Sequence, residues 1–113
     1  MADICTGLSI QSQDGKWFFG RNMDLAYYFN QAVMIMPRNY QYQDKVTGNM
    51  VINKHAIIGM GTVIDNHPVF ADAMNEVGLA CAGLNFEGYA YFEEDPIEGK
   101  HNIAPYDFIQ WVL

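Results

Sequence analysis

Over residues 4–12 the chain alternates in steps of two, with Leu8 and Ile10 falling on one side and Ser9 and Gln11 on the other. A period of two belongs to a strand and not to a helix, so this short segment constrains the fold more than any other. Gln13-Asp14-Gly15-Lys16 follows, with glycine where a tight reversal needs positive φ. Trp17-Phe18-Phe19-Gly20 then resumes the extended pattern, and the spacing predicts a β-hairpin.

The same punctuation recurs downstream. Residues 31–36 read as a third strand closed by Pro37, and residues 39–49 as a polar loop or short excursion. Residues 55–63 are apolar with glycines at 59 and 61, which suggests a strand carrying a bulge or a close backbone approach. Residues 69–74 and 79–84 flank Asn75-Glu76-Val77-Gly78 as a second hairpin, and residues 87–100 form an acidic surface loop. Pro105 sits where a first-turn proline is favoured, so residues 106–113 read as a helix. Strands come first and a helix follows late, which makes the class α+β with a mostly antiparallel sheet.

Composition narrows the function. A chain of 113 residues, half of them apolar, suffices for one small domain or a piece of a larger one. The formal net charge of −7 leaves no basic patch to neutralise phosphates, which argues against a nucleic-acid partner. An anionic ligand gains no long-range steering either, so its binding must rest on apolar contact. Cys5 and Cys81 lack the spacing of a disulfide framework or a zinc site, and His55, His67 and His101 add no metal-ligand pattern. No run approaches the ~20 apolar residues of a membrane span, and the first residues lack a signal peptide's features. The expectation is a reduced, cytoplasmic protein with no membrane partner. Phe108-Ile109-Gln110-Trp111-Val112-Leu113 is a helix-like run without a terminating glycine or polar tail, so the chain is expected to be an N-terminal piece of a longer protein.

Cys5 raises the chemical question. Cysteine packs well in cores, and the bland reading of a strand cysteine is packing. The alternative is a nucleophile: exposed as the first residue of a processed chain, Cys5 would carry a thiol and a free α-amine that serves as its base. Arg21 and Asp24, in "FGRNMD" after the first hairpin, are placed to stabilise a thiolate and to hold the amine, or to form an ordinary surface ion pair. Asn22 fits turn chemistry, and Asn85 can cap a strand end or polarise a carbonyl.

The segments "CTGLSIQSQDGKWFFGRNMDLAYYFNQAVMIMPRNY", "HAIIGMGT", "FADAMNEVGLACAGLNF" and "EGKHNIAPYDFIQWVL" resemble the choloylglycine hydrolase family. The likeness is strongest to its bile salt hydrolases, with penicillin V acylases as the sister branch, and it runs from Cys5 to Leu113. It implies an N-terminal nucleophile hydrolase with an αββα sandwich, of which residues 5–113 are the N-terminal portion of a single domain and residues 1–4 a leader or propeptide. It implies Cys5 as nucleophile, Arg21 and Asp24 as its partners and Asn85 as an oxyanion-hole contributor, two further site residues lying beyond this chain. Met23, Ile64 and Ala71 are implied as substrate-binding positions. The implied substrate is a conjugated bile acid, with no cofactor or metal, and the implied full-length assembly is a homotetramer. Asn85 stands where penicillin V acylases resemble one another in having tyrosine, which favours the bile-salt branch over penicillin V or another N-acyl amide. A non-catalytic truncated piece is the alternative from outside enzymology. Most bile salt hydrolases begin Met-Cys, whereas Ala2, Asp3 and Ile4 intervene here, so a free Cys5 amine requires cleavage of the Ile4–Cys5 bond.

Overall fold

The computed structural model describes residues 4–85 and 88–113. The first three residues of the expected leader, and Glu87 at the head of the acidic loop, lie outside them. Eight strands come first: β1 (Ile4–Gln11), β2 (Trp17–Asp24), β3 (Ala32–Met36), β4 (Gln41–Gln43), β5 (Met50–Ile52), β6 (Ile57–Ile64), β7 (His67–Asn75) and β8 (Ala80–Ala82). A 3-10 turn at Pro105–Asp107 leads into the helix α1 (Phe108–Val112). Every pairing is antiparallel: β1 with β2, β4 with β5, and a four-stranded sheet in the order β3-β6-β7-β8. The α+β class with a mostly antiparallel sheet is what the chain forms. No helix among the described residues is long and apolar enough to cross a membrane.

The first hairpin forms where the alternation places it, with Gly15 at φ 84° in the reversal and its N–H donating to the Ser12 carbonyl at 2.9 Å. Strand β2 runs further than the sequence pattern indicated, so Arg21 and Asp24 lie within the strand itself and not in the segment after it. Asn22 is likewise in the strand, its Oδ1 accepting from the Thr6 N–H at 2.8 Å. The polar stretch after Pro37 folds into the small β4–β5 hairpin. Strands β6 and β7 are joined by Asp65-Asn66, both at positive φ (49° and 61°), and Ile64 lies at the strand end beside this turn. The C-terminal helix is shorter than residues 106–113, because its first turn after Pro105 is 3-10.

One face of the sheet carries the core. Met36, Ile57, Phe70 and Ala73 pack with Tyr42 and with Ile109 and Leu113 of the C-terminal segment, and Cys81 lies partly buried against them. Asn75 ties the helix end to the sheet, its Nδ2 donating to the Leu113 carbonyl at 2.9 Å. The buried His67 and Asp107 side chains bond to each other, and Gln110 Nε2 donates to Asp107 at 2.8 Å. Burial, with Asp107 nearby, pushes the Tyr42 phenol up to about 12. The opposite face presents Val33, Ile35, Ile58 and Met74 to solvent.

The pairing of β6 with β7 is irregular. Met60 opposes Asp72 and Gly61 opposes Phe70, so Ala71 is an extra residue on β7. Phe70 and Ala73 are both in the core although three positions apart. An odd separation on one face requires a bulge between them. The glycines flagged in the sequence sit opposite it: a Cβ on Gly59 would stand 2.1 Å from the Asp72 carbonyl oxygen, and one on Gly61 2.2 Å from that of Val69. The close approach is on β6 and the extra residue on β7.

Candidate active site

In the β1–β2 ribbon Cys5 opposes Met23 and Gly7 opposes Arg21. Side chains alternate faces along a strand, so Cys5, Gly7, Arg21 and Met23 share one face of the ribbon. That face turns toward the otherwise bare face of the four-stranded sheet. Between the two runs a groove of about 500 Å³, lined by Phe19, Arg21 and Met23 on the ribbon side and by Ile58, Met60, Asp72 and Met74 on the sheet side. Five of these seven are apolar, and Arg21 and Asp72 supply its charge.

Arg21 is the best-anchored group in the groove. Its side chain is only 6% exposed. Nη1 donates to Asp72 Oδ2 at 3.3 Å and Nη2 to the Gly83 carbonyl at 2.5 Å. Its buried Nε has no partner among the described residues. A guanidinium stays charged when buried, so it brings a fixed positive charge to the Cys5 face of the ribbon. Asp72 is held in turn, its Oδ1 accepting from the Met60 N–H at 3.4 Å.

The segment after β8 completes this end of the groove. The Gly83 N–H donates to the Ala71 carbonyl at 2.9 Å. Leu84 then lies against β1, close enough that a Cβ on Gly7 would sit 3.5 Å from its Cδ1. Asn85 follows directly and is exposed. Asp24 is placed differently. It opposes Ile4 at the end of the ribbon, and alternation sends its side chain to the face opposite that of Cys5. It is therefore beside the Ile4–Cys5 peptide and not beside the thiol. Ile64 and Ala71 do not line the groove: Ile64 is exposed at the far end of β6, and Ala71 is the bulged residue. Asp72 escaped the sequence reading. The signal for it is a lone carboxylate within the apolar run Val69-Phe70-Ala71-Asp72-Ala73-Met74.

Residues 5–113 match the model of the linear amide C–N hydrolases of the choloylglycine hydrolase family. The chain belongs to the choloylglycine hydrolase family. Among its relatives is a bile salt hydrolase/transferase of Clostridium perfringens, 49% identical over 97% of this chain and 33% of that protein. A conjugated bile acid hydrolase of Lactobacillus gasseri is 44% identical over 96% of this chain and 34% of its own length. A crystal structure of a mutant conjugated bile acid hydrolase from Clostridium perfringens superposes with a TM-score of 0.89 at 48% identity, covering 97% of this chain and 33% of that one. The chain thus spans about a third of the length of the curated relatives it matches. Its ribbon, groove, sheet and helix are the portion of the choloylglycine hydrolase fold that this third supplies.

Proposed function

We propose that this chain is the nucleophile-bearing N-terminal portion of an enzyme that hydrolyses the amide bond of glycine- or taurine-conjugated bile acids, with Cys5 as nucleophile. The observation that carries the reading is that Cys5, itself outside the groove lining, shares its ribbon face with Arg21 and Met23, which line a groove walled also by Phe19, Ile58, Met60 and Met74. A rigid apolar acyl group suits such walls, and a protein of net charge −7 gains its affinity for an anionic conjugate from contact and not from steering. Two further observations support it. Relatives that align over nearly the whole chain carry the names bile salt hydrolase and conjugated bile acid hydrolase. Two crystallised variants of the conjugated bile acid hydrolase from Clostridium perfringens carry alanine in place of a cysteine and leucine in place of an arginine sixteen positions later, which is the spacing from Cys5 to Arg21.

The chemistry follows from the residues. The α-amine of Cys5 takes the thiol proton, the thiolate sulfur attacks the amide carbonyl carbon, the C–N bond breaks, and the departing glycine or taurine nitrogen takes that proton from the α-ammonium. Water then attacks the thioester and gives its proton to that amine, and the bile acid leaves as the thiolate re-forms. Arg21 favours the thiolate by its fixed charge. Asp24, beside the Ile4–Cys5 peptide, accepts a hydrogen bond from the liberated amine. Asn85 donates to the developing oxyanion, a contact worth roughly 10²–10³ in rate. The amine is free only if the Ile4–Cys5 bond is cut.

Glycocholate hydrolysis, with intact-mass measurement of the same sample, tests this in the full-length enzyme. Active material should begin at Cys5, and Cys5→Ala should abolish turnover. Active enzyme that retains Ala2, or persistent turnover in Cys5→Ala, refutes it. The 113-residue chain by itself should be inactive, because the two remaining site residues implied by the family lie outside it.

A further inference from the structure

Strand β7 presents its carboxylate to the groove because of the bulge at Ala71. In an unbroken strand starting from Phe70 in the core, Ala71 would face the ribbon, Asp72 the core and Ala73 the ribbon. The extra residue reverses the order after Phe70, so that Ala73 enters the core and Asp72 turns toward Arg21. Bulges next to active sites commonly serve to re-aim a side chain. Here the re-aimed group is the carboxylate that meets the buried guanidinium, held on its other oxygen by the Met60 N–H. The Ala71 carbonyl in the same bulge accepts from the Gly83 N–H, and the Gly83 carbonyl accepts from Arg21. Both restraints on Arg21 thus run back to one irregularity in one strand.

We infer that Asp72, aimed by the Ala71 bulge, is a positioning residue that fixes the Arg21 guanidinium over the Cys5 face of the ribbon. The inference rests on the reading of Cys5 as nucleophile and deepens it. Arginine has four rotatable bonds, and a free Arg21 would spread over many rotamers. Losing the carboxylate should let the guanidinium leave the thiol's surroundings. Its attraction for the thiolate would fall, although the total positive charge of the site would rise by one.

That opposition makes the test decisive. In the full-length enzyme, Asp72→Ala and the isosteric Asp72→Asn should each lower kcat/KM for glycocholate, by up to about 10²-fold for alanine, mainly through kcat. The pH midpoint for alkylation of Cys5 by iodoacetamide should move upward in both. A carboxylate acting only through its own charge would move it downward on removal. Adding Asp72→Ala to Arg21→Ala should cost nothing further, since the residue acts through a guanidinium that is no longer there. Asp72→Glu should recover part of the rate. Rates within about twofold of the parent, an unmoved or lowered alkylation midpoint, or losses that multiply in the double variant would each overturn the inference. Cys5→Ala separates the two levels. If Cys5→Ala remains active, the reading of the nucleophile has failed. If Cys5→Ala is dead while Asp72→Ala and Asp72→Asn behave as the parent, only the role of Asp72 has.

Discussion

Gly59→Ala is the perturbation that best probes how the sheet holds the site. The new methyl would stand 2.1 Å from the Asp72 carbonyl oxygen, 2.5 Å from Ala73 Cβ and 2.6 Å from Ala73 Cα. Carbon–oxygen contacts between neighbouring strands ordinarily settle at about 3.3–3.6 Å, so β6 and β7 must part locally by roughly 1 Å. The obstacle is backbone and cannot rotate away. Overpacking of this kind costs about 1–3 kcal/mol, and each ladder hydrogen bond lost beside it about 1 kcal/mol more. The relief of replacing a strand glycine returns about 0.5–1 kcal/mol. The net expectation is a loss of about 3 kcal/mol, read as a lowered urea midpoint in the full-length enzyme. Gly20→Ala is the internal control, a strand glycine whose nearest obstacle is Leu8 Cγ at 4.0 Å. It should leave the midpoint unchanged or raise it. Because the displaced atoms belong to Asp72, Gly59→Ala should also lower activity in whatever fraction remains folded. A Gly59→Ala midpoint equal to that of Gly20→Ala would refute the reasoning.

Removing the His67 ring leaves the buried Asp107 side chain with only Gln110 of its two partners and opens a cavity beside it, so His67→Ala should destabilise by about 3 kcal/mol, measured as a fall in the urea midpoint. The Glu76 carboxyl is held down to about 2 by hydrogen bonds from Arg38 and from the Ala56 N–H. Its folded pKa lies below its unfolded one, so its contribution is present above pH ~4.5 and lost as pH falls toward ~2; Glu76→Gln should flatten melting temperature against pH in that window and leave it parallel to the parent above. The isolated 113-residue chain exposes Val33, Ile35, Ile58 and Met74 on one face of its sheet and should self-associate in size-exclusion chromatography. A monomeric, cooperatively melting sample would contradict this.

Much of the fold could be read in the sequence where local chemistry decides it. The first hairpin rests on a period of two and on a glycine where positive φ is required, both local properties. The start of the C-terminal segment at Pro105 is local as well. The β4–β5 hairpin was hidden because β4 and the turn after it are mostly polar and each strand has only three residues, and what holds it is Tyr42, buried edge-on with the His67 ring from a distant strand. The β6–β7 turn was missed because asparagine and aspartate, not glycine, take its positive φ angles. Cys5 and Arg21 were legible as a pair once the hairpin was drawn, since register alone puts them on one face. Asp72 was not. Periodicity assigns it to the core side of β7, and the residue that reverses this, Ala71, looks like any other alanine in a strand.

Ala71 also shows why the core and the site fail in different ways. The ribbon is tied to the sheet through Arg21, which grips Asp72 and the Gly83 carbonyl, and through Leu84, which packs on Gly7. The core lies on the other face of the same sheet and does not involve these groups. Truncating a core residue such as Phe70 therefore removes about 3–5 kcal/mol of stability without touching a side chain in the groove. Loosening the ribbon's attachment leaves that core packed but misdirects Arg21 and shifts the segment leading to Asn85. The bulge is the one feature common to both, because it sets Ala73 into the core and Asp72 into the groove together. A change that removed it would have to choose between burying a carboxylate and exposing the core, which ties the integrity of the fold to the aim of the guanidinium.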